Sequence, residues 1–268
     1  MEFIDLSLQE IEKILLEKKI PYNAPGFYDH PNFIKEESKN AKFLEIYAAY
    51  VYKRQYSDEY LQNAESIIIK ISNIFSEALQ RNNSLGTCID TSSIVGRILD
   101  RYGIWNFGIK GCATIMFPKE SKLADTSFWQ FDVGNYEAAH AWLFCPPFNV
   151  LDLTIKYQSY RSKEVNYLPA YVVNQHNTIG KPKLSDVASP LAVVAFGKVK
   201  MNVMFNEVLR FQKIIRTLEF MVDNTKFRYV PLAMGLSLEP LEEFKNLKLD
   251  GLYPYDFYIK NIKNKVTL

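Results

Sequence analysis

The spacing of hydrophobic residues predicts helices in the first third of the chain. Apolar residues recur at helical spacing across 6–18, behind a capping Ser7, so an amphipathic helix is expected there. Prolines and asparagine-led turns in 21–31 predict a loop. From 41 to 79 the helical spacing returns and predicts one or two helices. We interpret residues 1–83 as a helical N-terminal wall.

The rest of the chain alternates between strand and helix patterns. Two alternating runs, 138–145 and 149–155, flank a pair of prolines and predict an antiparallel hairpin. Further on, 191–200 is predicted as a strand. The apolar stripe across 203–222 predicts one core-facing helix, and alternation in 253–259 predicts a last strand.

The length and the absence of internal repeats favour one large unit or a core with an added part. The chain has 268 residues, enough for about one or two domains. We assign 1–83 to the helical wall and 84–160 to a core that carries the chemistry. Residues 161–268 are predicted to form an α/β extension packed on that core as one compact unit.

Composition and charge exclude some classes of protein. Hydrophobic residues are 48% of the chain and charged residues 23%, which is typical of folded domains and excludes a disordered polymer. Lys and Arg number 32 against 30 Asp and Glu, without a long run of either sign, so no nucleic acid or membrane partner is expected.

The sequence also bears on the compartment. We find no classical export signal, and the longest apolar stretch, at 191–196, is far shorter than the roughly 20 residues of a membrane helix. The three cysteines are odd in number and far apart, which fits a reducing compartment. A cytoplasmic location is therefore expected, and non-classical secretion stays open.

One cysteine is predicted to begin a helix. Thr87 is placed to cap this helix, with Asp90 three residues later as a variant of the capping box, and Gly103 follows its last turn. Cys88 is then the first helical residue. Free backbone N–H groups and the helix dipole at that position favour a thiolate and can also face an oxyanion. The alternative is that Cys88 is a small buried core residue.

A base for Cys88 has to come from three histidines. His30 and His176 stand in turn-like polar contexts, whereas His140 lies in the first strand of the predicted hairpin. Asp152 lies in the second strand, so the two side chains are neighbours if the hairpin faces coincide. A carboxylate would orient the imidazole as a base for the thiol. The alternative is a core histidine beside an unrelated aspartate.

Three short motifs carry a resemblance to a known family. They are G-T-C ending at Cys88, H-A-W beginning at His140, and L-D-L-T, which contains Asp152; the gaps between these residues are 52 and 12 positions. In this order and spacing the chain resembles the transglutaminase-like superfamily of papain-fold cysteine enzymes, over about 75 of its 268 residues.

The resemblance implies an α+β fold in which the nucleophile helix packs on an antiparallel sheet. It also implies a thioester on Cys88, with His140 as base and then acid and Asp152 as the orienting group. The members of this superfamily include protein cross-linking enzymes, deamidases, proteases and peptide N-glycanases. A protein, a peptide or a small amide is the expected substrate, and no motif identifies the member type.

The second oxyanion donor is less defined. Animal transglutaminases use an upstream tryptophan, whereas the three tryptophans here follow Cys88. Asn82 or Asn83 could supply an amide, or could simply form a turn. Trp129 and Trp142 are expected to line a cleft if they are not core residues.

No metal or cofactor is expected from the sequence. It contains no C-x-x-C pair for a zinc module and no acidic loop with the spacing of calcium ligands. The function predicted is a cysteine-dependent amide or ester hydrolase or acyltransferase. The alternative is a catalytically silent binding or scaffold module that retains the fold and uses 161–268 as its interaction surface.

Overall fold

The computed structural model describes residues 3–133, 139–160, 163–176 and 178–266, and their fold is mixed α+β. The helices in these ranges are α1 (Leu8–Glu17), α2 (Pro31–Lys39), α3 (Leu44–Lys53), α4 (Asp58–Asn82), α5 (Cys88–Arg101), α6 (Leu184–Val187), α7 (Pro190–Phe196), α8 (Lys198–Val208) and α9 (Pro254–Tyr258). The strands are β1 (Phe107–Met116), β2 (Thr126–Phe128), β3 (His140–Cys145), β4 (Phe148–Asp152), β5 (Val172–Asn174), β6 (Leu218–Val222) and β7 (Thr225–Met234).

One antiparallel sheet contains all seven of these strands. Its order is β5-β4-β3-β1-β7-β6, and β2 pairs with β1 beyond the end of β3. Strand β1 is central because β3 pairs along one of its edges and β7 along the other. Strands from 161–268 therefore share a sheet with strands from 84–160.

The two faces of the sheet pack against different helices. Trp142 and Tyr229 lie on one face with the aromatic residues of α3, in a single hydrophobic cluster. Leu143 and Leu151 are cross-strand partners on the other face and pack in the cluster that contains α4, α5 and α9. This alternation is the period of two that a β-strand imposes on its side chains. Successive side chains of one strand therefore lie in different hydrophobic clusters.

The first helices follow the sequence prediction. Ser7 caps α1, and its hydroxyl and the Glu10 carboxylate form a reciprocal capping box. Two helices, α3 and α4, occupy the predicted helical region. The helix α2 was not predicted: it begins at Pro31, the last residue of the predicted loop, because proline is tolerated in the first helical turn.

The predicted hairpin is confirmed. Strands β3 and β4 pair antiparallel, with Leu143 opposite Leu151, and the Pro146–Pro147 peptide bond between them is cis. Ala138, at the start of the predicted run, lies outside the described residues.

Three predictions in the last third were wrong. The segment 191–200 is helical rather than extended, because Ser189 caps α7 and Pro190 occupies its first turn. The stripe across 203–222 is divided: α8 ends at Val208, and 218–222 pairs with β7. The run 253–259 contains α9, since a proline follows Tyr253 at the first helical position.

Within the described ranges, none of the helices combines the length and the apolar composition that a membrane crossing requires.

Candidate functional site

Cys88 is the first residue of α5, as the sequence predicts, although the cap differs from the prediction. Thr87 stands at the N-cap position without a side-chain hydrogen bond to the backbone, and its hydroxyl lies 3.2 Å from the hydroxyl of Thr91. The predicted capping box between Thr87 and Asp90 is therefore absent. Because the Thr87 hydroxyl does not cap the helix, the first N–H groups of α5 remain available beside the thiol.

The chain before Cys88 is held by a backbone hydrogen bond at Gly86. Gly86 has φ +68°, a conformation that favours glycine, and its N–H donates to the carbonyl of Tyr157 at 2.9 Å. On the other side, the Ser92 hydroxyl of α5 donates to the carbonyl of Ala141 at 3.4 Å. These contacts tie the start of α5 to β3 and to the segment after β4. Cys88 itself is 9% exposed.

His140 and Asp152 form a buried contact across the hairpin. Nε2 of His140 lies 2.5 Å from Oδ2 of Asp152, and both side chains are fully shielded from solvent. The imidazole also lies between two aromatic rings, with centroid distances of 5.4 Å to Phe128 and 6.4 Å to Trp142. The ring orientation is therefore set by packing as well as by the carboxylate.

Three further hydrogen bonds hold the Asp152 carboxylate. The backbone N–H and the hydroxyl of Thr154 donate to Oδ1 at 2.9 and 3.1 Å. The Tyr229 hydroxyl donates to Oδ2 at 2.8 Å. Burial raises the pKa of Asp152, but His140, Thr154 and Tyr229 together outweigh it and hold that pKa below its usual value. The carboxylate is therefore ionised at neutral pH.

Cys88 and His140 shift each other's protonation. Burial lowers the pKa of His140, yet the charge of Asp152, the hydrogen bond that Asp152 accepts and the neighbouring Cys88 thiol raise it well above its usual value. Burial raises the pKa of Cys88, but the neighbouring His140 imidazole, with the Ala141 N–H, brings that pKa below the ordinary thiol value. Both shifts favour a thiolate beside an imidazolium.

The second imidazole nitrogen is the one left for Cys88. Since Asp152 occupies Nε2, the interaction with the thiol falls to Nδ1. Within the described part of the chain, Nδ1 is buried and makes no hydrogen bond of standard geometry. It is thus a buried, uncommitted polar atom next to the thiol, which is the position of a proton acceptor or donor.

The other two cysteines have a different environment. Cys112 and Cys145 are buried free thiols. Burial raises the pKa of Cys112 to about 12 and raises that of Cys145 further. Only Cys88 among the three has a pKa lowered below the ordinary value. All three thiols are buried, so the lowered pKa of Cys88 comes from its neighbours and not from burial.

Cys88 and His140 lie in the wall of a cavity of about 440 Å³. Its wall includes Gln158, whose amide nitrogen donates to the Thr154 carbonyl at 2.9 Å. Three acidic residues also line it, and none of the described lining residues is Lys or Arg. These acidic residues are Asp125, Asp132 and Glu164.

The remaining predicted site residues have different positions. Trp129 lines the cavity, and its indole N–H donates to the Ser185 carbonyl at 2.9 Å. Trp142 does not line it: this side chain is fully buried beneath His140, against Tyr229. Of the two roles that the sequence left open for Trp142, the structure shows the core one: its side chain shares the strand face of His140 but packs inside the fold against Tyr229.

Neither predicted asparagine reaches the cavity. The Asn82 amide donates to the Ala78 carbonyl and to the Asp250 carboxylate at 2.7 and 3.0 Å. Asn83 adopts a left-handed conformation at the end of α4, with φ 47°. Both residues terminate a helix, which is the turn-forming role that the sequence left open.

Sequence reasoning missed Tyr229 and Gln158. Tyr229 comes from a strand 77 positions after Asp152, so no local pattern connects the two. Gln158 follows Asp152 by six residues and could have been found as the nearest side-chain amide after the L-D-L-T motif.

Within the described ranges, no group of three His, Cys, Asp or Glu side chains is arranged to hold a metal ion.

No protein-family model, no curated protein and no solved structure matches this chain.

Proposed function

We propose that this chain is a cysteine-dependent enzyme that cleaves or transfers the acyl group of an amide or ester. The observation that carries the proposal is the buried His140–Asp152 pair beside the Cys88 thiol on the wall of one cavity, with Nδ1 of the imidazole left without a hydrogen-bond partner among the described residues. A transglutaminase-like, papain-type core is part of the proposal. It is supported by α5, which begins at the thiol and packs on an antiparallel strand.

The proposed reaction begins with attack of the Cys88 thiolate on the substrate carbonyl carbon. The electron pair of the C=O bond moves to oxygen, and the oxyanion is stabilised by the N–H of Cys88 at the start of α5. The C–N or C–O bond then breaks as Nδ1 of His140 gives its proton to the leaving group. This step leaves a thioester on Cys88 and a neutral imidazole.

Water or an amine resolves the thioester in the second half of the reaction. His140 removes a proton from the attacking group, the C–S bond breaks, and the thiolate and imidazolium are restored. Asp152 keeps its charge throughout and stabilises the imidazolium, because four hydrogen bonds already satisfy its oxygens.

We assign Gln158 as the second oxyanion donor. It contributes a side-chain amide to the same cavity wall as Cys88 and His140. One N–H of this amide is directed to the Thr154 carbonyl, which fixes the amide plane.

The test is the pH dependence of iodoacetamide labelling with peptide mapping, in the wild type and in His140→Ala. Fast labelling of Cys88, with an apparent pKa below the free-thiol value of about 8.5, is expected in the wild type and is lost in the variant. Slow labelling of Cys88 that does not respond to His140 would favour the silent binding module instead.

A further inference from the structure

Strands β2 and β3 lie end to end along the same edge of β1. Strand β1 pairs with β3 as far as Gly111, which is opposite His140, and it pairs with β2 from Ala113, which is opposite Phe128. The rings of Phe128 and His140 are accordingly close, with 5.4 Å between their centroids. One end of β2 therefore lies beside the imidazole of the candidate site.

The strand on the far side of β3 does not continue along β2. Strand β4 pairs with β3 and ends at Asp152. Thr154 then has ψ −3°, which is outside the extended region, and Ile155–Tyr157 form a 3₁₀ turn. Within the described ranges, β1 is the only strand that pairs with β2. The outer edge of β2 thus has no partner strand there.

The cavity of the candidate site lies along this outer edge. Thr126, Ser127 and Phe128 all line it, together with Cys88 and His140. Successive side chains of a strand point to opposite faces of a sheet. Since neighbours from both faces line the same cavity, it lies at the edge of β2 rather than over one face. Its position is the one that a further strand of the sheet would take.

The backbone at this edge can bind another main chain. In an antiparallel strand, the N–H and C=O groups of successive residues point to alternate edges. At least one of the three β2 residues therefore directs both groups away from β1. Among the described residues, β2 forms no backbone hydrogen bond besides its ladder with β1. An unpaired strand edge of this kind recognises an extended peptide through main-chain hydrogen bonds.

We propose that the substrate is an extended polypeptide segment, which pairs with the outer edge of β2 and brings its reacting carbonyl to Cys88. This inference rests on the proposed function, of which it names the substrate class. Three β2 residues at about 3.4 Å each give an edge about 10 Å long, which pairs with about three substrate residues. A polypeptide satisfies these backbone groups at strand spacing, whereas a small amide does not reach along the edge.

The test is the rate at which peptides with a thiol-reactive end alkylate Cys88, followed by peptide mapping. The probes are iodoacetyl-tri-alanine amide and acetyl-tri-alanine chloromethyl ketone, because β2 can pair with a strand of either direction. Each is compared with its analogue of one alanine. We expect at least one tri-alanine probe to react about tenfold faster than its analogue, since further hydrogen bonds form on β2. No gain for either probe would overturn the proposal.

N-methylation of the faster probe separates strand pairing from other contacts. One derivative carries the methyl group on the second amide nitrogen of the peptide, and the other carries it on the third. Only alternate N–H groups of a strand face a given neighbour, so one methylation should abolish the gain and the other should retain it. Equal effects of the two methylations would contradict pairing with β2.

The same alternation provides a matched pair of variants, Thr126→Pro and Ser127→Pro. One of these two N–H groups faces β1 and the other faces the cavity. Proline is tolerated on an edge strand where the N–H faces outward, so one variant should keep its stability and the other should lose it. Thermal unfolding identifies the stable variant, which should lose most of the tri-alanine gain relative to iodoacetamide. Retention of that gain would overturn the proposal, and the methylated probes carry the test if neither variant folds.

Iodoacetamide labelling of Cys88 in the wild type and in His140→Ala keeps the two proposals separate. Slow labelling that does not respond to His140 would overturn the proposed function. Fast labelling by iodoacetamide without a gain for either tri-alanine probe would overturn only the peptide inference.

Discussion

Tyr229 on β7 donates a 2.8 Å hydrogen bond to Oδ2 of Asp152 on β4, although β3 and β1 lie between these strands in the sheet. In a flat sheet, three strand spacings would separate β4 from β7 by about 14 Å. The side chains meet because the sheet is strongly curved, almost into a barrel. This curvature closes the face that holds His140 and keeps the carboxylate away from water.

Removal of the Tyr229 hydroxyl tests how much its buried hydrogen bond to Asp152 contributes to the stability of the fold. Tyr229→Phe should lower the free energy of unfolding by about 1.5–3 kcal/mol, because a buried carboxylate loses one of its donors. The same loss should raise the pKa of Asp152 towards its usual value. Chemical denaturation measures the first effect, and the pH dependence of Cys88 labelling reports on the second.

The control is Tyr157→Phe, since the Tyr157 hydroxyl donates to the neutral Ser76 carbonyl at 3.2 Å. That variant should lose only about 1 kcal/mol and keep the wild-type labelling profile. Equal effects of the two substitutions on labelling would contradict a specific role for Tyr229.

Asp152→Asn tests the orienting carboxylate. The substitution removes the charge that raises the pKa of His140, and it allows the amide to favour the wrong imidazole tautomer. Turnover of an activated ester such as p-nitrophenyl acetate should fall on the order of 10⁴-fold. Cys88 labelling near pH 6 should fall in parallel. Unchanged labelling at that pH would show that Asp152 does not act on the thiol.

The pH profile of turnover should be bell-shaped. The acid limb follows formation of the Cys88 thiolate, whose pKa lies below the ordinary thiol value. The alkaline limb follows loss of the His140 proton, whose pKa is raised well above about 6.5. Because the pair titrates together, the two limbs report apparent pKa values of the couple. A profile that only rises, with a midpoint at or above about 8.5, would contradict a preformed ion pair.

Gln158→Ala tests the second oxyanion donor. Turnover of p-nitrophenyl acetate should fall by about 10²-fold, because an N–H that faces the developing oxyanion is lost. Iodoacetamide labelling, which forms no oxyanion, should stay unchanged. Asn82→Ala is the matched control: this amide binds Asp250 and Ala78, so turnover should stay near the wild-type rate. If Gln158→Ala lost iodoacetamide labelling as strongly as it lost turnover, the result would indicate a damaged site instead.

A close approach beneath the site predicts a loss of stability in Gly111→Ala. A Cβ at Gly111 would lie 2.2 Å from the Val230 carbonyl oxygen and 2.5 Å from the Trp142 ring, which packs under His140. We expect a loss of about 1–3 kcal/mol in thermal or chemical unfolding. Gly180→Ala, whose Cβ would meet only side-chain atoms at 3.3 Å or beyond, should cost less.

Much of the local structure could be predicted, because short-range physics decides it. The helix α5 follows the helical spacing of its apolar residues, and the hairpin that brings His140 to Asp152 depends on a turn and on period-two alternation, all within about 20 residues. The same reasoning failed in the last third. There, α8 and β6 divide one apolar stripe, because its end at 218–222 finds a pairing partner in β7 that a local pattern cannot show.

The sequence by itself determined where three residues stand and in what order: a thiol at a helix start, then an imidazole and a carboxylate on paired strands. Only the tertiary structure decided what surrounds them. Tyr229 reaches Asp152, and Trp142 lies in the core rather than in the cavity, because the curved sheet sets those distances. Tertiary packing likewise leaves Val194 and Val199 in solvent, since hydrophobic residues enter a core only where the fold provides a partner surface.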